Sequence, residues 1–529
     1  MKHIQKLARL LSHPQSGGYR SAERWISLAA ISSNSIHRQG IVPTNARAMD
    51  RSRLLSPVVS PPVRWFGQPA AQTHPHLLNT GEVTPNITKE EYRRRRCMLV
   101  KDARNMFAGF REVEDHILIF PSARRVFMTN DIPYPFRQNS DFLYLCGFQE
   151  ADSVLVIHSS KSFSSSHNHR AALFVPKKDP YKELWEGSRS GAEGALELTG
   201  VDSAHNYNEL EQFLSGFCKD HSKFMLWYDF VNPPQDGFHT GVMSQMIGEE
   251  RHKAVENTQK LMHGLRVKKS PAEVELMTQT VQIASEAFVE VMKFSRPGVH
   301  ESHLWAKMDF ECRVRGAQYL AYPPVVAGGP RANTIHYTAN NQVVADGDLV
   351  LMDAGCELHG YTSDLTRTWP VNGKFSPAQR ELYQATLAVQ KVCVSMCTTQ
   401  HSLDDVYRQM LALLGMQLQE LGIIPRDASA SEVIKKARQL CPHHVGHYLG
   451  MDVHDSSEVS RNVKLEPGMV ITVEPGVYVQ SDDTTVAEKY RGIGIRIEDN
   501  ILITKATPIN LSQNCPKTVE DIERIMSER

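Results

Sequence analysis

Leu349-Val350-Leu351-Met352-Asp353-Ala354-Gly355, followed through Cys356-Glu357-Leu358-His359-Gly360 by Tyr361-Thr362-Ser363-Asp364-Leu365-Thr366-Arg367, is the stretch on which the reading of this chain turns. Both flanks read as strands, and the connection around Glu357–Gly360 is short enough for a hairpin-like return. With the turn centred near Leu358 and His359, Asp353 and Asp364 are expected across from each other on adjacent strands. Two carboxylates so placed repel unless cations hold them, because taking unpaired charge out of water is costly.

Two more carboxylates follow the same logic. In Met469-Val470-Ile471-Thr472-Val473-Glu474-Pro475-Gly476, strand alternation puts Met469, Ile471 and Val473 on one face and Glu474 on the other. In Gly492-Ile493-Gly494-Ile495-Arg496-Ile497-Glu498 the isoleucines face the core and leave Arg496 and Glu498 together on the opposite face. The segment from Pro442 through His443, His447 and His454 to Asp455 adds neutral nitrogen ligands. Singly, each residue reads as a surface aspartate, a salt-bridged glutamate or a satisfied histidine. Jointly they make an oxygen-rich Asp, Asp, His, Glu, Glu set suited to two divalent cations, manganese first with cobalt and zinc as alternatives. Four carboxylates balance two dications, and a water held between them is expected to lose a proton near neutral pH and act as nucleophile. Competing motifs fail: His300-Glu301-Ser302-His303 is one residue short of His-Glu-x-x-His, and neither a Gly-x-Ser-x-Gly elbow, a P-loop nor a Gly-x-Gly-x-x-Gly run occurs.

The rest of the chain frames this set. Its 529 residues suit two folded domains plus a tail, and the balance of 59 Lys+Arg against 59 Asp+Glu gives no global field favouring nucleic acid. No stretch approaches the roughly eighteen apolar residues of a membrane span. The nine cysteines are scattered without a Cys-x-x-Cys pair and read as reduced thiols. In residues 1–53, Lys2, Lys6, Arg9, Arg20, Arg24, Arg38, Arg47, Arg51 and Arg53 face only Glu23 and Asp50 among many serines. That is transit-peptide composition, with Ile4, Leu7, Ala8 and Leu11 on one helical face; a disordered basic tail is the plainer alternative.

Residues 54–86, rich in Pro, Ser, Thr and His, read as a linker or extended arm, with order beginning near Thr88 in a helix that carries the run Arg93–Arg96 on a solvated face. Between 87 and 265, His116–Phe120, Phe142–Leu145, Ser153–His158, Ala171–Val175 and Phe224–Tyr228 read as strands alternating with helices, an α/β domain without a catalytic set. A second domain, 266–510, opens at Ser270-Pro271-Ala272-Glu273, a capping box followed by Met277, Val281, Ala284, Phe288 and Val291 at helical spacing. The pattern recurs at Ser376-Pro377-Ala378-Gln379 and hints at internal duplication. Residues 511–529 read as a C-terminal tail.

Asp353 and Asp364 with ten residues between them, His447, Glu474-Pro475-Gly476 and Arg496-Ile497-Glu498 resemble the five-ligand signature of the pita-bread metallopeptidases: methionine aminopeptidase, prolidase and aminopeptidase P. Tyr322-Pro323-Pro324, Asn333 to Tyr337 and His447 to Asp455 resemble the prolyl branch, and Asn130 to Tyr134 through Phe142 to Phe148 resemble the aminopeptidase P N-terminal domain. The resemblance implies an α+β chain whose N-terminal α/β domain precedes a pita-bread catalytic domain with pseudo-twofold duplication. It implies Asp353, Asp364, His447, Glu474 and Glu498 as metal ligands. His336 and His454 would stabilise the oxyanion developing at the scissile peptide, and Glu474 would also shuttle a proton. Tyr322, His443, Tyr478 and Arg496 would line or support the prolyl site. The implied substrates are peptide or protein N-termini with proline second, including imported mitochondrial proteins. The implied assembly is a homodimer and the location the mitochondrial matrix, with room for a cytosolic form lacking the presequence. A prolidase-like dipeptidase shares nearly all these residues, and an inactive binding module of the same fold is the rival of a different class.

Overall fold

The computed structural model describes residues 65–106, 115–160, 169–221, 223–248 and 254–528. The basic segment 1–53, and the import reading that rests on it, lies outside them. So does most of the Ser/His/Asn stretch that begins at 162.

Four of the five expected N-terminal strands assemble into one six-stranded mixed sheet. Its order runs Ala254–Glu256, Phe224–Tyr228, Asp115–Pro121, Val154–Ser159, Arg170–Val175, Ser203–Asn206. Alternation along Asp115–Pro121 sends Leu118 and Phe120 against Tyr92, Leu99 and Ala195 on one face, and Ile117 and Ile119 against Leu214 and Phe217 on the other. Helices therefore cover both faces, which is why the central strands read as nearly continuous apolar runs.

The fifth expected strand is a helix. Phe142–Leu145 lies inside the helix Ser140–Cys146, where the Asn139 side chain accepts from the Phe142 amide and Gly147 terminates in the left-handed region at φ 67°. A short apolar run has no period of its own, so its caps decide. The solvated-face reading of Arg93–Arg96 also fails in part. Arg95 and Arg96 are buried and donate to the carbonyls of Tyr144 at 3.1 Å and Leu145 at 2.8 Å, tying the Lys89–Met106 helix to that short one.

The linker reading of 54–86 gives way over its described part, because Phe66, Ala70 and Val83 are buried in the N-terminal core, Leu78 is buried beside them in sequence, and Glu82–Thr84 pairs with Ile87–Thr88. Isolated apolar residues in an aperiodic segment dock one by one, which no periodicity reports. The tail reading of 511–529 fails for a similar reason. Thr518 caps the helix Val519–Ser527, and Val519, Ile522, Ile525 and Met526 pack into the core of the second domain.

That second domain is built twice on one plan. The helices Pro271–Phe294 and Glu301–Val314 precede the antiparallel sheet of Val325–Gly328, Leu349–Ala354 and Leu365–Pro370. The helices Pro377–Met396, Leu403–Glu420 and Ala430–Leu440 precede the antiparallel strands Val470–Val473, Asp499–Leu502, Gly476–Tyr478 and Gly494–Arg496. This is the duplicated pita-bread arrangement. Both expected capping boxes are formed, Ser270 with Glu273 and Ser376 with Gln379, each cap contributing about 1 kcal/mol to its helix. Met277, Val281, Ala284, Phe288 and Val291 are all fully buried along the first of these helices.

Candidate active site

The strands of the two repeats converge with their acidic residues turned to one place. Asp353 stands in register opposite Thr366, and Ala354 opposite Leu365, so Asp364 lies beyond the residue that faces Asp353 rather than across from it. The hairpin turn is also one position later than expected: Leu358 pairs with Tyr361 around His359 and Gly360, at φ 52° and 84°. The slip has a local cause. Gly355 approaches the chain so closely that a Cβ there would sit 1.7 Å from the Ser363 carbonyl oxygen, which lets the two strands stay joined through an irregular step. The Tyr322 hydroxyl spans the two carboxylates, 2.5 Å from Asp353 Oδ1 and in contact with Asp364 Oδ1.

His447 arrives from the loop that packs on Val470–Val473. A Cβ at Gly446 would sit 2.0 Å from the Thr472 carbonyl oxygen, so only glycine allows that approach. His447 Nδ1 lies 3.0 Å from the Tyr448 carbonyl oxygen, which can only accept. A proton is thereby assigned to Nδ1, and Nε2 is the ring nitrogen turned to Asp364 Oδ2 at 3.3 Å and Glu474 Oε1 at 3.7 Å. Ligand atoms of Asp364, His447 and Glu498 all lie within 4.8 Å of one another. Glu498 Oε2 accepts from Thr366 Oγ1 at 2.7 Å. Arg496 is buried and donates to Asp353 Oδ2 at 2.7 Å and to the Tyr478 hydroxyl at 2.8 Å. That hydroxyl in turn lies 2.9 Å from His443 Nε2, whose other ring nitrogen is 2.8 Å from the His444 carbonyl oxygen.

His454 stands at the exposed side, its ring 4.4 Å from that of His447 at a steep angle. His336, also exposed, comes within electrostatic reach of both His443 and His454. All eleven residues singled out in the sequence thus meet around one locus. Two that the sequence reading passed over belong with them. Thr366 bonds Glu498 and accepts from Arg496 Nε at 3.1 Å, and Asn500 receives the Asp364 amide at 3.2 Å. Each sits two residues from an acid already named, on the same strand face, and that spacing was the available signal.

The charge balance is lopsided. Asp353, Asp364, Glu474 and Glu498 face one permanent cation, Arg496, and two titratable rings, His447 and, 3.7 Å from Glu474, His443, which burial lowers to about 4 and so keeps neutral. Burial and then the neighbouring carboxylates hold the Glu498 carboxyl well above its ordinary range. Burial lifts Glu474 to about 7 against the pull of His447 and Arg496. Burial would also raise Asp364, but the bond to His447 outweighs it, and the same pairing raises His447 to about 9. Such a set demands positive charge. Carboxylate oxygens joined by one imidazole lone pair are the donor chemistry of hard and borderline divalent cations, so the residues present fit them.

Comparison with known proteins agrees with this geometry. Residues 275–505 match Metallopeptidase family M24, and residues 92–227 match the Aminopeptidase P, N-terminal domain. The chain is 48% identical over 473 residues to Xaa-Pro aminopeptidase 3 of Rattus norvegicus, covering 89% of this chain and 92% of the relative. It is 39% identical to Intermediate cleaving peptidase 55, mitochondrial, of Arabidopsis thaliana, over 88% of each chain. Among solved structures, zinc-substituted aminopeptidase P of E. coli in complex with product superposes with a TM-score of 0.75 at 34% identity, over 84% of this chain and 99% of that one. Carrying both matching domains and a site that fits divalent metal ions, the chain belongs to metallopeptidase family M24, in its aminopeptidase P branch.

Proposed function

We propose that this chain is a two-metal aminopeptidase that releases the first residue from peptides and proteins with proline in second position. The observation that carries the reading is the lopsided charge balance: four convergent carboxylates and a histidine whose Nε2 is turned to two of them, beside exposed His336 and His454. Asp353, Asp364, His447, Glu474 and Glu498 would hold the ions, manganese first, with cobalt or zinc able to substitute. When bound, they supply charge neutralisation and a water acidified to near neutral pH. Glu474 takes up and returns the proton of the attacking water. His336 and His454 donate hydrogen bonds to the oxygen that gains charge at the scissile carbonyl. Tyr478 and Arg496 hold His443 and Asp353 in place, and Tyr322 keeps the two aspartates together. The names of the relatives support the proline preference.

Purified enzyme loaded with Mn²⁺ is expected to cleave longer Xaa-Pro peptides well, Xaa-Pro dipeptides less well and Xaa-Ala peptides poorly, and to lose activity to a chelator. Full activity after exhaustive chelation, with metal content near zero, would sink the mechanism. A preference for dipeptides would make it a prolidase instead.

The mitochondrial names of relatives and the basic, serine-rich 1–53 support action in the mitochondrion, trimming imported proteins. A fusion of residues 1–66 to a fluorescent protein is expected in mitochondria, and cytosolic signal from it would contradict the assignment. A homodimer belongs to the same proposal. Val126, Phe127, Met128 and Ile132 and, beyond the Arg125–Glu186 ion pair at 3.1 Å, Tyr181, Leu184 and Trp185 are exposed apolar side chains. Sedimentation equilibrium of the full chain at micromolar concentration tests it, a monomer mass being the contrary result. No helix among the described residues is long and apolar enough to cross a membrane.

A further inference from the structure

The loop that carries His454 is held in part by the N-terminal domain and by the boundary between the two domains. His454 lies between Asp452, which is half-buried, and Asp455, which is buried, and both carboxylates bond to basic side chains. Arg266, at the end of the helix Gln259–Arg266 and only 3% exposed, donates to Asp452 Oδ2 at 2.6 Å, to Asp455 Oδ1, and to Asp141 Oδ1 at 2.6 Å. Lys269 Nζ, equally buried, lies 3.3 Å from Asp455 Oδ2. Asp141 belongs to the helix Ser140–Cys146 of the N-terminal domain. From the same place Ser140 Oγ donates to Asp452 Oδ1 at 2.6 Å, and Arg137 donates to the Met451 carbonyl at 2.7 Å and to Glu357 Oε2 at 2.6 Å.

Inside the loop there is little else. The Asp455 amide bonds the Tyr448 carbonyl at 3.0 Å and the Gly450 amide the Asp452 carbonyl at 3.1 Å, while the catalytic domain ties the start of the segment through Leu449 to Val470 at 3.0 Å and Thr362 to Gly450 at 2.9 Å. Ser456 closes it in the left-handed region at φ 52°, a conformation an unbranched polar residue keeps only when its surroundings impose it. Two ionic anchors thus flank one exposed histidine, and their partners come from the N-terminal domain and the segment that joins it to the catalytic one. A guanidinium shared by three carboxylates also fixes direction, because its donors lie in one plane.

We propose that Arg137, Ser140, Asp141 and Arg266 are positioning residues for His454, so that the docked N-terminal domain sets the rate of the reaction without touching the substrate. The proposal rests on the peptidase reading for its effect on rate, and on the geometry alone for its effect on the loop. The N-terminal domain is then more than a scaffold: its docking holds the oxyanion donor at the distance where transition-state charge is felt, and a displacement of about 1 Å at such a donor costs on the order of a hundredfold.

The test is a double-mutant cycle in the full-length, Mn²⁺-loaded enzyme. Ser140→Ala removes one bond at the edge of the cluster with little risk to folding. Arg266→Lys keeps the charge and loses the three-way fork. Each is combined with His454→Ala. We expect kcat to fall about threefold to tenfold for Ser140→Ala and further for Arg266→Lys, with KM and metal content near the parent's. In the His454→Ala background the same changes should cost nothing more, because the group they position is gone. Amide hydrogen exchange should quicken at 448–456 in both variants. Equal losses of kcat with and without His454, or unchanged exchange at 448–456, would overturn the proposal. Absence of turnover by the unmodified enzyme on any peptide, with exchange quickened as expected, would count against the peptidase reading alone.

Discussion

The catalytic domain keeps two groups of buried charges close together, and they are built on opposite principles. In one, Asp499 is met by Arg367 Nη2 at 2.8 Å, by Gln390 Nε2 at 2.7 Å, by Ser512 and by Lys517. Arg367 in turn donates to the carbonyls of Pro516 at 3.0 Å and Cys515 at 3.1 Å. The one carboxylate there is met by two cations, Arg367 and the partly exposed Lys517, so no negative charge is left over. In the other group, starting at the adjacent residue Glu498, four carboxylates share Arg496 and His447, and Glu498 is pushed well above its ordinary range by burial and its acidic neighbours. Burial alone separates neither group. What separates them is whether the protein itself supplies the countercharge: where it does, the cluster holds the fold, and where it does not, the shortfall marks the place for an ion.

This contrast can be broken most severely at Glu498 and Asp499, neighbours in sequence with opposite expected phenotypes. Glu498→Ala should reduce activity to background and lower metal content by elemental analysis, while leaving the stability of the chelated protein unchanged or raised, since a carboxyl that folding keeps from ionising is removed. Asp499→Ala should do the reverse to the fold. Removing one partner of a buried, fully compensated pair leaves Arg367 and Lys517 uncompensated and costs about 3–5 kcal/mol in denaturant unfolding. Metal content per folded molecule should then stay near the parent's. If both variants lose metal and stability alike, countercharge is not what distinguishes the clusters.

The contrast also explains what could be read from the sequence. Repeated signals survived: the capping boxes at Ser270 and Ser376 act within four residues, and the acids Asp353, Glu474 and Glu498 stand at or just past the end of a strand and Asp364 just ahead of one, where a charge has no packing reason to be. Position along a strand was legible and register between strands was not, so the offset of Asp364 from Asp353, which depends on the close approach of Gly355 to Ser363, was missed. Long-range compensation was equally invisible. Arg95 and Arg96 look like solvated helix charges until the carbonyls of Tyr144 and Leu145 are brought to them, and nothing near Arg266 announces Asp452 and Asp455. Phe142–Leu145 failed for another reason: four apolar residues carry no period, and Asn139 and Gly147, which settle the helix, lie outside the run.

The N-terminal sheet offers the mildest form of the contrast, a single buried titratable group kept neutral. His116 begins a central strand with its side chain buried, and its Nδ1 accepts from Trp227 Nε1 at 3.0 Å, a bond only the unprotonated nitrogen can make. Burial, helped by Arg104, lowers its pKa from 6.5 to about 4. The sign follows directly. Below about pH 6.5 the unfolded chain takes up a proton at this residue while the folded chain does not until about pH 4, so His116 subtracts stability as the pH falls through that window and has no effect above it. At pH 5 the penalty should be on the order of 1–2 kcal/mol. Replacing His116 by Gln keeps an acceptor for Trp227 without a group that titrates there. Denaturant unfolding of the two proteins should therefore differ by a constant above pH 7, and His116→Gln should gain on the parent as the pH is lowered to 5. Other, half-buried histidines, His158 and His359 among them, titrate in the same window and cancel in the difference, since both proteins carry them. A difference that stays constant from pH 7 to pH 5 would mean that water reaches His116 and that the strand tolerates its charge.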